Sequence, residues 1–283
     1  MARITSVQGD VEIRWNEAEP WRAANLEDVL CTGTTIRVGA YSRAALAFVD
    51  DSTLRLDQST TLVIRGREQE RRTLLDMVRG AIHFFSHRPQ SLGIQTPFVN
   101  AAAEGTEFLI RVNEADAHIL MFEGIVLASN EAGELRLGPD DAALIRKGEK
   151  PVPEIVIRPR DAVAWAVYVP DVFSDLAAGA EPGAYPVHLQ VALKWARENN
   201  IPVALRTLDL VPPDERDASH EALRAAILLT VGRFDEAEAA IIRALAQDEN
   251  AADAYAVRTI IHVTRNERAQ ALRDADRAVQ LAP

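Results

Sequence analysis

The sequence predicts a multidomain β + α protein in two parts. Residues 1–158 read as an antiparallel β-sandwich or roll, residues 187–283 as an α-helical repeat array, and residues 159–186 as a connecting helix and linker. Three observations predict it. Apolar and polar residues alternate through the first half, the period of a strand with one buried face. From Ser219 the apolar period lengthens to that of a helix. No long amphipathic stretch interrupts the alternating segments, which argues against a βαβ architecture.

The strands can be justified in order. Val11, Ile13 and Trp15 alternate with Glu12 and Arg14. Ala44, Leu46 and Phe48 do the same, followed by Leu54 with Leu56, Leu62 with Ile64, and Ile82 with Phe84. Phe108, Ile110 and Val112 come next, then Leu135 with Leu137. A period of two puts each set on one sheet face, so these residues are the expected core, Trp15 among them. Cys31 is expected to be a half-buried strand residue. Turn signals separate the runs: Gly9-Asp10, Thr32-Gly33, Asp50-Asp51-Ser52, Arg79-Gly80, Glu123-Gly124 and Gly138-Pro139.

An ordered set of short elements runs through this half. Gly9-Asp10-Val11, Trp21-Arg22, Leu30, Gly33 and Thr34-Thr35-Ile36-Arg37 come first. Ser42 to Phe48, Asp50 to Leu56 and Val78-Arg79-Gly80 follow. Thr96-Pro97, Gly105-Thr106-Glu107-Phe108 and Glu123-Gly124-Ile125-Val126 complete the set. In this order and spacing, residues 5–150 resemble the FecR domain. Two positions depart from that pattern: Asp51 stands where the family usually has glycine, and Arg37-Val38-Gly39 where it usually has a threonine-glycine pair. The resemblance implies an antiparallel β-sandwich or roll and a place in the cell envelope. Some members relay signals from outer-membrane iron transporters to sigma factors. Those members carry a cytoplasmic segment and a membrane helix ahead of the domain, which this chain does not show, so the anti-sigma role is not carried over.

The second half opens at Pro159-Arg160-Asp161-Ala162-Val163. Asp161 is a candidate cap for a short helix with Trp165 and Tyr168 on one side. Trp165 and Val169 are expected to bury against the sheet or neighbouring helices. Asp175 to Pro186 reads as a linker. Further on, Gly232 and Asn266 lie 34 residues apart, as do Phe234 and Arg268, Ala237 and Ala271, Ala244 and Ala278, and Glu249 and Pro283. This spacing is that of the tetratricopeptide repeat (TPR), with repeats at about 218–251 and 252–283. Gly232 suits the tight turn between helices. Ala237 and Ala244 suit helices that cross closely. Val187 to Asp209 is either a degenerate earlier repeat or an adapting hairpin. By repeat position, the inner face comprises Ala222, Ala226, Leu229, Ala256, Ile260 and Val263, which would suit an apolar peptide, a following helix or a second copy of the chain. Alternatively, these side chains pack between the helices of each repeat. Pro283 stands where another repeat would begin, so the array is expected to continue.

A formal net charge of −11 disfavours nucleic acid as a partner. Residues 1–160 carry 19 basic and 23 acidic residues, and residues 161–283 carry 12 and 19, so the helical part is the more acidic. One cysteine excludes an internal disulfide and a cysteine-rich zinc site. No apolar run reaches the length of a membrane span. The phosphate-loop, His-Glu-x-x-His and Gly-x-Ser-x-Gly motifs are missing, so no enzyme activity, cofactor or metal is expected. On a strand, His83 and His87 would sit about 13 Å apart, too far to share a metal, and read as surface or rim residues. Glu104 and Glu107 flank a structural Gly-Thr element. Trp15, Trp21, Trp165 and Trp195 would form a sugar platform only if exposed. The expectation is a periplasmic or envelope-associated interaction or scaffold protein whose helices bind another protein or peptide. The alternative is a carbohydrate or cell-wall binding module with a glycan on the β domain.

Overall fold

Fourteen strands and six α-helices account for most of the chain among the described residues, in the sequence order the two periods require. The computed structural model describes residues 1–68, 72–156, 159–166 and 186–282. The chain divides into two units, Met1–Ala166 and Val167–Pro283.

In the first unit the strands are β1 (Ala2–Gln8), β2 (Val11–Arg14), β3 (Arg22–Ala23), β4 (Val29–Leu30), β5 (Thr35–Val38), β6 (Arg43–Phe48) and β7 (Thr53–Leu56). Then come β8 (Thr61–Glu68), β9 (Arg72–Gln95), β10 (Asn100–Val112), β11 (Asp116–Asn130), β12 (Gly133–Leu137), β13 (Ala142–Arg146) and β14 (Val152–Glu154). The main path runs β14-β13-β11-β10-β9-β7-β6-β1-β4, with β8, β5, β2 and β3 branching from β9, and β12 pairing with β11. The strands form one antiparallel network rather than the two separate sheets of a sandwich. The reason is β9: its first part pairs with β8, its second with β7 and β10, so the hydrogen bonds never break into two sets.

Register explains the core. Ile4, Leu46, Leu54, Phe84, Phe108 and Met121 stand opposite one another across six strands, each no more than 1% exposed. The Phe84 and Phe108 rings stack with centroids 5.1 Å apart. Ile13 and Ile36 on the branch belong to the same core, so the sheet must curl around it. The other face of the central strands is also apolar. Ala81, Leu109, Leu120, Phe122 and Ala142 pack under a 3₁₀ helix, Pro159–Ala166, through Val163, Trp165 and Ala166. Trp165 is thus buried against the sheet, and its carbonyl accepts a 2.6 Å bond from Arg43 Nη1. Tyr168 and Val169 lie outside the described residues.

Three expectations change. Trp15 is 41% exposed, because β2 ends at Arg14 and the chain bends before the alternation reaches it. Cys31 is exposed, in the connection between β4 and β5. His83 is buried, because it lies on the second covered face of the sheet. Asp51, at the position where glycine was expected, has φ +63°, a left-handed conformation that aspartate tolerates better than most residues. Asp50 Oδ1 closes that turn by accepting from the backbone and hydroxyl of Ser52.

The second unit contains α1 (Val187–Arg197), α2 (Ile201–Asp209), α3 (Ala218–Thr230), α4 (Phe234–Gln247), α5 (Ala252–Thr264) and α6 (Arg268–Leu281). The α5–α6 hairpin repeats the α3–α4 hairpin in helix length and at a 34-residue offset. Each hairpin turns at a left-handed residue: Asn199 (φ +58°), Gly232 (φ +72°) and Asn266 (φ +57°). The same bond pair closes all three turns. Asn200 N donates to Trp195 O, Arg233 N to Leu228 O, and Glu267 N to His262 O, while the left-handed residue donates to Ala196, Leu229 or Val263. This is the Schellman arrangement, which satisfies carbonyls that a helix end leaves unpaired. Asp217 caps α3 by accepting from His220 N at 2.7 Å.

Candidate functional sites

The six residues assigned to the inner helical face do not share one open surface. Ala222, Ala226 and Leu229 of α3 are buried within the unit. Ala256 and Ile260 of α5 are half-buried, and Val263 is 63% exposed. The difference arises because α3 lies between the first and third hairpins, whereas α5 packs against α3, α4 and α6.

A charged network surrounds α5. Arg258 holds Asp274 of α6 through two bonds of 2.6 and 2.8 Å. His262 places Nδ1 2.6 Å from Glu267 and Nε2 3.3 Å from Asp274. Arg265 grips Glu238 of α4 in a bidentate pair at 2.9 and 2.8 Å. These bonds hold the Glu238 carboxyl below the usual glutamate range. Position-by-position hydrophobic reading misses such a network, since its partners are brought together only by helix packing. At the other end of the unit, Val187, His188, Val191, Leu210 and Val211 line an open groove of about 530 Å³.

Two polar clusters mark the β-rich unit. On the second covered face, His83 Nε2 lies 3.0 Å from Glu107 Oε1, and the His83 ring meets Phe122 edge to face. Glu104, by contrast, is exposed and has no share in this pair. His87 is exposed, with its ring against Phe85, so the two histidines do not converge. The second cluster lies around β2. Glu12 and Arg14 face away from the core because Ile13 faces into it, and Arg37 stands opposite Glu12. Two guanidinium groups pack over the Trp21 ring, Arg37 at 4.2 Å and Arg14 at 4.8 Å from its centre. Arg22 stacks on the exposed Trp15 at 4.3 Å while binding Asp28 bidentately. That bond lowers the Asp28 pKa and raises that of Arg22. Trp165 is buried and Trp195 is half-buried on α1.

Among the described residues no three histidine, cysteine, aspartate or glutamate side chains are grouped to hold a metal ion. Among them, too, no helix is long and apolar enough to cross a membrane.

Residues 34–127, from just before β5 into β11, match the family model described as FecR protein. This FecR segment covers about a third of the chain and includes β9, β10, His83 and Glu107. Two crystal structures of a candidate anti-sigma factor from Parabacteroides distasonis are similar to the chain. One shares 14% identity over 51% of this chain and 71% of that chain, with a TM-score of 0.42. The other shares 15% identity over 50% of this chain and 73% of that chain, also with a TM-score of 0.42. Comparison with curated proteins finds no match.

Proposed function

We propose that this chain is a non-enzymatic regulatory interaction protein of the periplasm or cell envelope. In this reading the β-rich unit is a recognition or docking module of a signalling or assembly system. The α3–α4 and α5–α6 hairpins are tetratricopeptide-type repeats that bind another protein or peptide. The observation that carries the reading is the repetition itself. Two hairpins of matching length, 34 residues apart, close through the same left-handed turn. Stacked helical repeats present extended surfaces, and such surfaces serve protein recognition. The FecR segment supports the regulatory part.

The test places a photo-cross-linking residue at Val263, which is 63% exposed, and at Val49 of the β-rich unit, 73% exposed, as a control. Envelope extract should give one discrete protein adduct at position 263 and none at 49. Absence of an adduct at 263, with equal labelling of both sites by a free diffusing probe, would overturn the helical binding surface.

The exposed Trp15 ring favours one other reading, a carbohydrate-binding surface on the β-rich unit. An exposed aromatic ring beside the end of a strand offers an apolar body that can stack on a sugar face. Sedimentation with purified peptidoglycan should then be lost in Trp15→Ala. Equal sedimentation of both proteins removes this reading.

A further inference from the structure

The α1–α2 hairpin meets α3 at a buried histidine. His220, in the first turn of α3, is fully buried, and neither ring nitrogen has a hydrogen-bond partner. Buried polar groups are hydrogen-bonded as a rule, and an unpartnered imidazole in an apolar interior is tolerated only while it is neutral. Its ring lies 5.5 Å, centre to centre, from that of His188 on α1, which is half-buried beside the groove.

The charged groups facing His220 come from several elements. His188 belongs to α1, Arg216 and Asp217 precede α3, and Glu221 follows on α3. Each carboxylate already has a partner. Asp217 accepts from the backbone N–H of His220, and Glu221 is held by Arg243 of α4 at 2.9 Å. None of these groups accepts a hydrogen bond from the His220 ring.

We propose that His220 makes the seam between the α1–α2 hairpin and α3 an acid-sensitive joint, in which protonation expels the imidazole and frees the hairpin while the β-rich unit stays folded. Burial dominates and lowers the His220 pKa from 6.5 to about 4; Glu221 and Asp217 oppose that shift, and Arg216 and His188 reinforce it. The sign follows directly. Between pH 6.5 and about 4 the open form binds a proton that the closed form refuses, so the closed form is fully favoured above 6.5 and loses ground as pH falls. The joint borders the side of α1 along which Leu189, Ala192, Leu193 and Ala196 are buried. Their i, i+3, i+4, i+7 spacing is that of a helix packed within its own hairpin, so the hairpin can leave as one piece.

Hydrogen exchange by mass spectrometry on the full chain, corrected for the intrinsic pH dependence of exchange, reads this joint. Opening of residues 187–209 should increase about 30-fold between pH 7.5 and pH 5, with residues 1–156 unchanged. His220→Leu should remove the increase. If that variant fails to fold, the wild-type imidazole signal followed by NMR supplies the test, and it should stay neutral to below pH 5. Protection that is flat across this range, an increase that survives in a folded His220→Leu, or an imidazole that titrates near 6.5 would each overturn the proposal.

Discussion

Asn266 repeats the backbone of Gly232 one hairpin later: both hold left-handed φ, +57° and +72°, and both donate to the carbonyl three residues back, Val263 and Leu229. Glycine enters this region without strain, and asparagine is the side chain that does so most readily. Replacement of glycine by asparagine in the second repeat therefore preserves the turn. Gly232→Ala should destabilise the helical unit by about 1 kcal/mol, and Asn266→Val by about 1–2 kcal/mol. Asn266→Gly should stay within a few tenths of a kcal/mol, roughly neutral. Urea unfolding followed by helical circular dichroism checks all three; equal losses in Asn266→Gly and Asn266→Val would contradict the role of the left-handed turn.

Gly105 of β10 and Gly124 of β11 face each other across the FecR segment, at an irregularity in the ladder. A Cβ on Gly105 would stand 2.6 Å from Glu123 O, and one on Gly124 would stand 2.7 Å from Glu104 O. Gly124 also has φ +106°. Backbone cannot yield as a side-chain end can. Gly105→Ala and Gly124→Ala should each destabilise the β-rich unit by about 2 kcal/mol or more. Thermal unfolding followed on the strand signal measures this, and unchanged midpoints would refute the close approach.

The Arg258–Asp274 pair joins α5 to α6, with the Asp274 side chain only 10% exposed and also 3.3 Å from His262. Asp274→Asn leaves Arg258 without its charged acceptor, while His262 keeps Glu267, and should cost about 1–3 kcal/mol. Arg258→Met should lose more, because it strands the buried Asp274 carboxylate without its guanidinium, whereas Arg258 is 32% exposed and can turn to water. Comparing the two by denaturant midpoint tests the pair; a smaller loss for Arg258→Met than for Asp274→Asn would show that Asp274 is not the group being compensated.

Trp165 is 6% exposed on the second face of the sheet, and its carbonyl anchors Arg43. Trp165→Ala should destabilise the β-rich unit by about 3–5 kcal/mol, as for other large buried aromatics. With the other three tryptophans replaced by phenylalanine, Trp165 fluorescence should be blue-shifted and shielded from acrylamide. A red-shifted, freely quenched signal would place it in solvent.

Several features were legible in the amino-acid order because they are local. Period-two alternation placed Ile13, Leu46, Leu54, Phe84 and Phe108 inward, and all are buried. The 34-residue spacing located the helical hairpins and their turns. Trp15 misled because alternation says nothing about where a strand stops; the bend after Arg14 turned an apparent core residue outward. His83 misled because burial of a sheet's second face depends on what covers it, and the covering Pro159–Ala166 segment is about 80 residues away in sequence.

By itself the sequence determined the two-part β + α organisation, the strand faces and the repeat period, since these follow from backbone geometry and the spacing of apolar side chains. Only the tertiary structure decided that one continuous antiparallel network replaces two sheets, because the division depends on which partners β9 takes along its length. It also decided which of the inner-face residues remain accessible: α3 lies among its neighbours and α5 is less covered, so Ala222, Ala226 and Leu229 are hidden while Val263 is open. The pairings of His83 with Glu107, of His188 with His220 and of Arg14 and Arg37 with Trp21 were likewise settled there. Long-range contacts of this kind have no periodic signature, because the residues that meet are brought together by the folding of whole elements and not by their spacing along the chain.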